Sequence, residues 1–119
     1  MNQILSQSLQ LLAVGLRPYV RQRLSIVYGA NWQNEKSVVS ATGTRGYEEW
    51  DAHVILLLMW DHWNAAFRSD LTFVERSLVS ELREIRNRWA HQFSFPLADI
   101  YRCIDSICLL YTSPSPRDS

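Results

Sequence analysis

The residues best suited to chemistry lie in one six-residue stretch, Arg86-Asn87-Arg88-Trp89-Ala90-His91. If this stretch is helical, Asn87 and His91 lie about 40° apart on one face, so both side chains can contact the same ligand. Arg86 lies about 100° from Asn87, and its long side chain can bring a guanidinium to the same rim. Histidine transfers protons near neutral pH and arginine stabilises phosphate charge. The stretch therefore indicates a phosphate-containing ligand.

The charged residues of the chain limit which catalytic groups and which ligand contacts are expected. The motif is not accompanied by a carboxylate cluster that would hold a catalytic metal, so we expect neither a metal nor a cofactor. The formal net charge is zero, which means that any contact with nucleic acid must be local. All basic residues except Lys36 are arginine. This composition suits phosphate recognition, and a genome-level arginine bias explains it equally well.

Two histidines and two tryptophans are weaker candidates. His53 and His62 lie nine residues apart, without the four-residue spacing of a helical metal pair, and we interpret both as structural. Trp60 and Trp63 are capable of stacking on bases, but aromatic residues at helical spacing are usually core, so we assign both to packing.

The apolar periodicity predicts an all-α fold, a bundle of four or five helices with no competing strand pattern. The predicted helices cover residues 2–14, 18–28, 50–67, 72 to about 90, and a last segment opened by Ser94 and Pro96. The first two can join as one kinked helix that Gly29 ends. Residues 30–46 have little periodicity and are predicted to be a long loop.

Two of these helices bear on the candidate site. The motif helix begins with the capping box Thr72-Phe73-Val74-Glu75. Its inward residues are predicted to be Val74, Leu78, Leu82, Ile85 and Trp89. The helix over 50–67 is apolar around most of its circumference and should be central or shared with a partner subunit. We expect one of its faces to lack an intrachain partner, and therefore a homodimer.

The stretch from Ser77 to Gln92 resembles the motif helix of HEPN domains, whose signature is Arg-Asn-x-x-x-His. Leu16-Arg17-Pro18-Tyr19-Val20 and Leu58-Met59-Trp60-Asp61-His62-Trp63-Asn64 resemble the SWT-like branch of that superfamily. The resemblance spans roughly residues 15–107. It implies an HEPN-like helical bundle with RNA as its ligand, and a composite site built by two protomers near a two-fold axis.

The resemblance also implies roles for individual residues. Arg86, Asn87 and His91 would be the catalytic or RNA-contacting residues, and Arg88 would bind RNA beside Arg86. In a metal-independent endoribonuclease of this kind the RNA 2′-hydroxyl attacks the adjacent phosphate. His91 would assist proton transfer, Arg86 would hold the phosphate, and Asn87 would orient one of these two residues. Whether the chain is an enzyme stays open. The alternative is a non-catalytic RNA-binding or dimerisation module of a larger defence or RNA-surveillance protein, and a generic helical domain with a coincidental motif is third.

The C-terminal segment from Cys108 to Asp118 resembles the translation of a sequencing-library adapter. We therefore expect a domain over residues 1–107 with a truncated last helix, followed by a non-native tail over 108–119. Order should fail near Thr112, because Pro114 and Pro116 cannot continue a helix.

The sequence also predicts where the protein resides. The longest apolar run, Val54 to Trp60, is too short to span a bilayer. The first residues lack the basic region of a signal peptide. A cytoplasmic location without membrane contact is expected.

Overall fold

A computed structural model describes residues 2–43, 45–91 and 97–112 of the chain. This part of the chain contains helices and turns and no strand, which confirms the all-α prediction. The α-helices are α1 (Asn2–Tyr28), α2 (Lys36–Thr42), α3 (Ala52–Asp61), α4 (Phe73–His91) and α5 (Leu97–Thr112). Two 3-10 segments (Gly29–Asn34 and Tyr47–Glu49) and a π-helical turn (Trp63–Phe67) complete the described elements. None of the described helices has the length and hydropathy needed to cross a membrane.

The first two predicted helices form one helix, α1, which continues through Pro18. A proline removes one backbone hydrogen bond from a helix interior, which costs stability. A buried stripe on both sides of the proline compensates for this cost. The stripe consists of Leu5, Leu9, Leu12, Leu16, Val20 and Leu24. Gly29 follows the helix with a φ of 80°, a conformation that favours glycine, and ends α1 as predicted.

Helix α3 lies at the centre of the bundle, in contact with α1, α2 and α4. Asp51 caps its first turn, because the carboxylate accepts a hydrogen bond from the Val54 amide at 3.0 Å. Six of its ten residues are buried: Ala52, Val54, Ile55, Leu56, Leu58 and Met59. The predicted central position is confirmed. The expectation of a face without an intrachain partner stays a prediction, because the side chains of His53, Leu57 and Trp60 on one face of this helix are only half-buried.

The segment predicted as a loop over residues 30–46 contains α2 and a 3-10 segment. Trp32 and Val38 anchor it, with 6% and 1% of their surfaces exposed. The Trp32 ring packs edge-on against Trp50, with 5.8 Å between the centroids. Two isolated apolar anchors are too few to produce a periodic pattern, so the loop prediction was wrong.

The predicted capping box at the start of α4 is present. The Val74 amide donates to Thr72 Oγ1 at 3.3 Å, and the Thr72 amide donates to Glu75 Oε1 at 2.6 Å. Of the predicted inward residues, Leu82 and Ile85 are buried and Leu78 is partly buried. The prediction for Val74 is wrong, because its side chain is 61% exposed. A series of four-residue steps turns about 40° per step, so the core face passes through Val79 instead. The Trp89 side chain lies outside the described ones.

Helix α5 packs on α1 and α4 through the buried residues Cys103, Ser106 and Ile107. Ser106 donates to Glu81 of α4 at 2.6 Å, and Arg102 also donates to that carboxylate. Burial opposes the charged form of Glu81, but these two hydrogen bonds hold its pKa below the ordinary value. The helix ends at Thr112. Residues 108–112 of the tail predicted over 108–119 thus belong to α5, whereas residues 113–119 and the predicted start at Ser94 and Pro96 lie outside the described residues.

Candidate functional site

The predicted site residues lie in the last turns of α4, on two sides of the helix. Arg86 is half-buried, beside the face that carries Val79 and Leu82. Asn87 is exposed, and Arg88 is half-buried. His91 is the last residue of α4, and its side chain lies outside the described ones. The side chains of Arg86 and Asn87 therefore start from different sides of the helix, with Arg86 turned toward α3.

Trp60 of α3 shows how α3 and α4 are aligned. The Arg76 and Arg83 guanidinium carbons lie 5.0 and 5.5 Å from the centroid of its ring. Trp60 therefore lies opposite the middle of the segment between these arginines. His53 is seven residues, or about two turns, before Trp60 on the same face of α3. In an antiparallel pair of helices, two turns back along α3 correspond to two turns forward along α4. Two turns forward from the middle of the segment between Arg76 and Arg83 lies Arg86, so His53 lies opposite Arg86.

Electrostatics agree with this alignment. Burial lowers the pKa of His53, and the charges of Arg86, Arg45 and Arg83 lower it further against the opposing effect of Asp51. At neutral pH the ring is therefore uncharged and can accept a proton. Among the neighbouring charges, that of Arg86 has the largest effect on this pKa.

His53 also lines a small open cavity of about 130 Å³ between the first half of α1 and the start of α3. The lining residues are Ser6, Leu9, Gln10, Asp51, Ala52 and His53. The interpretation of His53 as a structural residue did not predict that it lies beside this cavity and opposite Arg86. Its spacing along the sequence carries no signal for it, since only the packing of α3 on α4 brings His53 to Arg86.

The structural interpretation of His62 is confirmed. Only 3% of its surface is exposed, and its Nδ1 shares a hydrogen bond with the Tyr28 hydroxyl at 2.8 Å. Burial lowers the pKa of His62 despite the opposing charges of Asp61 and Glu35.

The packing assignments of the two tryptophans are also confirmed. Trp63 is buried and stacks on Phe67, with 6.2 Å between the ring centroids. Trp60 is partly buried against the core, and its ring additionally carries the two arginines.

The surface between α3 and α4 is strongly basic. No carboxylate of the described residues forms an ion pair with Arg76, Arg83 or Arg86. Arg45 lies 3.8 Å from Asp51, with both side chains about half exposed, a pair that contributes little. Among the described residues, no group of three or more His, Cys, Asp or Glu side chains is placed to hold a metal ion.

A family model described as Swt1-like HEPN matches residues 7–113, which is most of the chain. The chain belongs to the Swt1-like HEPN family. This membership confirms the resemblance inferred from the motif and from the segments around Leu16 and Trp60. A comparison of this HEPN chain with curated proteins found no match, and neither did a comparison with solved structures.

Proposed function

We propose that this HEPN domain acts on RNA as a metal-independent endoribonuclease. The observation that carries the proposal is the placement of the family motif. Arg86 is half-buried in a basic surface and has no carboxylate partner among the described residues, so its guanidinium is available to a phosphate. Asn87 is exposed one residue later, and His91 ends the same helix.

The proposed reaction is an internal phosphoryl transfer. The RNA 2′-oxygen loses its proton and attacks the adjacent phosphorus, the bond from phosphorus to the 5′-oxygen breaks, and that oxygen takes up a proton. The products are a 2′,3′-cyclic phosphate and a 5′-hydroxyl. His91 assists proton transfer, and Arg86 stabilises the charge on the phosphorane-like transition state. Asn87 orients His91 or Arg86, and Arg88 contributes to RNA binding.

The second candidate is an RNA-binding module without catalysis, part of a larger defence or RNA-surveillance protein. The specific observation that favours it is the row of Arg76, Arg83 and Arg86 on α4. These three form no ion pair with a carboxylate of the described residues, and they support binding whether or not His91 transfers protons. Binding and cleavage must therefore be measured separately.

The test compares His91→Ala and Arg86→Ala in the full chain, with labelled RNA in EDTA. We expect His91→Ala to lower the cleavage rate roughly 10²- to 10⁴-fold while RNA affinity is retained, because only proton transfer is lost. Arg86→Ala should lower both the rate and the affinity. Arg68→Ala, which removes an exposed arginine outside α4, is the control and should leave both unchanged.

Circular dichroism is measured for each variant, because a loss of helicity would show that the lower cleavage rate comes from unfolding and not from the missing side chain. Abolition of cleavage by EDTA would contradict the proposal. An unchanged rate in folded His91→Ala would do the same, and the binding module would then replace the enzyme.

A further inference from the structure

A row of side chains runs along the contact between α3 and α4, and we name it the arginine groove. It consists of Arg76, Arg83 and Arg86 of α4 together with Trp60 and His53 of α3. All five side chains are half-buried, so each is held by its neighbours while part of its surface faces solvent. Only Arg86 of this row belongs to the motif from Arg86 to His91.

Trp60 orders two of the arginines. Both guanidinium groups lie over its ring, at 5.0 Å for Arg76 and 5.5 Å for Arg83, within the range of a cation–π contact. A guanidinium that stacks by its flat face keeps its N–H bonds in the plane, free to meet an anion.

The spacing of the arginines suits a chain of phosphates. With a rise of 1.5 Å per residue, Arg83 lies about 10 Å along the α4 axis from Arg76, and Arg86 lies about 4.5 Å further. The Cα atoms of the three arginines thus span about 15 Å along the helix axis, and the guanidinium groups of Arg76 and Arg83 meet at the Trp60 ring. They lie on a molecule whose formal net charge is zero, so this surface is a local concentration of positive charge.

We propose that the arginine groove binds the backbone of a single RNA strand, with phosphates on Arg76 and Arg83, and leads the strand to Arg86. This inference rests on the proposed function, because Arg86 is there the residue that holds the reacting phosphate. A single row between two helices fits one strand, whereas proteins that bind duplex RNA contact successive grooves over a wider surface. A second copy of the chain is a poorer occupant of the groove around Trp60, since a two-fold interface centred there would place Arg76 and Arg83 of the two copies against each other.

The test measures binding of fluorescein-labelled single-stranded RNA by anisotropy, with Arg76→Gln, Arg83→Gln and the double variant of the full chain. Each single substitution should weaken binding roughly fivefold, as expected for a half-exposed ion pair. The double variant should also reduce the slope of log Kd against log salt by about 1.4, because each phosphate contact on a single strand contributes about 0.7.

Two controls separate phosphate binding from other effects. Arg21→Gln removes an exposed arginine that stacks on Tyr47 at 4.4 Å, outside the groove, and should leave affinity and slope unchanged. Arg76→Lys and Arg83→Lys keep the charge and should recover most of the salt slope. Thermal melts by circular dichroism show whether the Gln variants remain folded.

The outcomes for the groove and for catalysis are distinguishable. If the parent chain binds RNA and the folded double variant binds it equally well, the groove inference is wrong while cleavage by Arg86 and His91 can still stand. If the double variant loses affinity and slope in a chain that cleaves nothing, the groove inference holds and the endoribonuclease proposal fails. If the substitutions change the oligomeric state and leave RNA affinity unaltered, a second copy occupies the groove and the inference is overturned.

Discussion

The side chain of Arg86 lies in a different environment from the one that its position in the motif predicts. The spacing of Arg86, Asn87 and His91 predicts side chains that meet at one rim of the helix. In the structure Arg86 turns toward α3 and influences His53, while Asn87 is exposed. A ligand that contacts both Arg86 and Asn87 must therefore cross the edge of α4. This geometry suits an extended ligand better than a small isolated anion.

Two histidines with lowered pKa values make the stability of the protein depend on pH. For both His53 and His62 the pKa in the folded chain lies below the ordinary value of 6.5. The unfolded chain therefore binds more protons, and stability is complete above about pH 6.5 and is lost as the pH falls. We expect the free energy of unfolding to be constant between pH 7.5 and about 6.5 and to decrease as the pH falls from there to 5.5.

Urea titrations of the parent, His62→Gln and His53→Gln at several pH values test this prediction. His62→Gln should flatten the pH dependence most, because His62 is enclosed and His53 is partly exposed. Glu81 has a lowered pKa as well, but its ordinary value of 4.5 places its effect below this pH range. Equal slopes in the parent and in His62→Gln would show that burial of this ring does not control the effect.

At the level of elements, α2 shows how a segment without periodicity becomes ordered. Val38 of α2 is enclosed, with 1% exposed, whereas the adjacent Val39 is 46% exposed. Gly43, with a φ of 63°, ends the helix in a conformation that favours glycine. The segment is thus held by tertiary contacts of a few residues, because its own helical propensity is low.

This pair of neighbouring valines provides a matched test. Val38→Ala should lower the free energy of unfolding by about 2 kcal/mol, since it removes two methyl groups from the core and leaves a cavity. Val39→Ala removes the same groups from a largely exposed position and should change stability by less than about 0.5 kcal/mol. Chemical denaturation measures both. Equal effects would indicate that the region behaves as the loop that its sequence suggested.

At the level of the whole molecule, the expectation of a homodimer has two possible grounds, the apolar helix α3 and the HEPN resemblance. Neighbouring helices of the same chain enclose six residues of the apolar helix α3 that first motivated it, and only the face with His53, Leu57 and Trp60 is half-buried. The main support is therefore the two-protomer site implied by the HEPN resemblance. We predict a dimer at micromolar concentration, with the motif helices near the two-fold axis. Sedimentation equilibrium over a dilution series measures this, and a monomer throughout the series would refute it.

A second variant locates the interface. Helix α1 exposes Ile4, Leu11 and Val14 along one side, by 49%, 63% and 51%, and this stripe is the competing apolar surface. Leu11→Gln should leave the dimer intact if the motif helices form the interface. Dissociation of the dimer by Leu11→Gln would place the interface on α1 instead.

Local patterns in the sequence determined much of the fold. The capping box at Thr72, the stop at Gly29 and the helical spacing of apolar residues each act within a few positions, so they can be read without knowledge of the rest of the chain. The motif from Arg86 to His91, together with the segments around Leu16 and Trp60, was sufficient to identify the family. The roles of the motif residues and the limits of the domain at Ile107 stay predictions.

Only the tertiary structure decided which residues become neighbours across the bundle. His53 and Arg86 are 33 positions apart in sequence, and the packing of Trp60 against α4 sets the alignment that brings them together. The burial of Val38 likewise depends on contacts with elements far along the chain. Such contacts depend on the shapes and volumes of side chains on both helices, which hydrophobic periodicity along one helix does not encode.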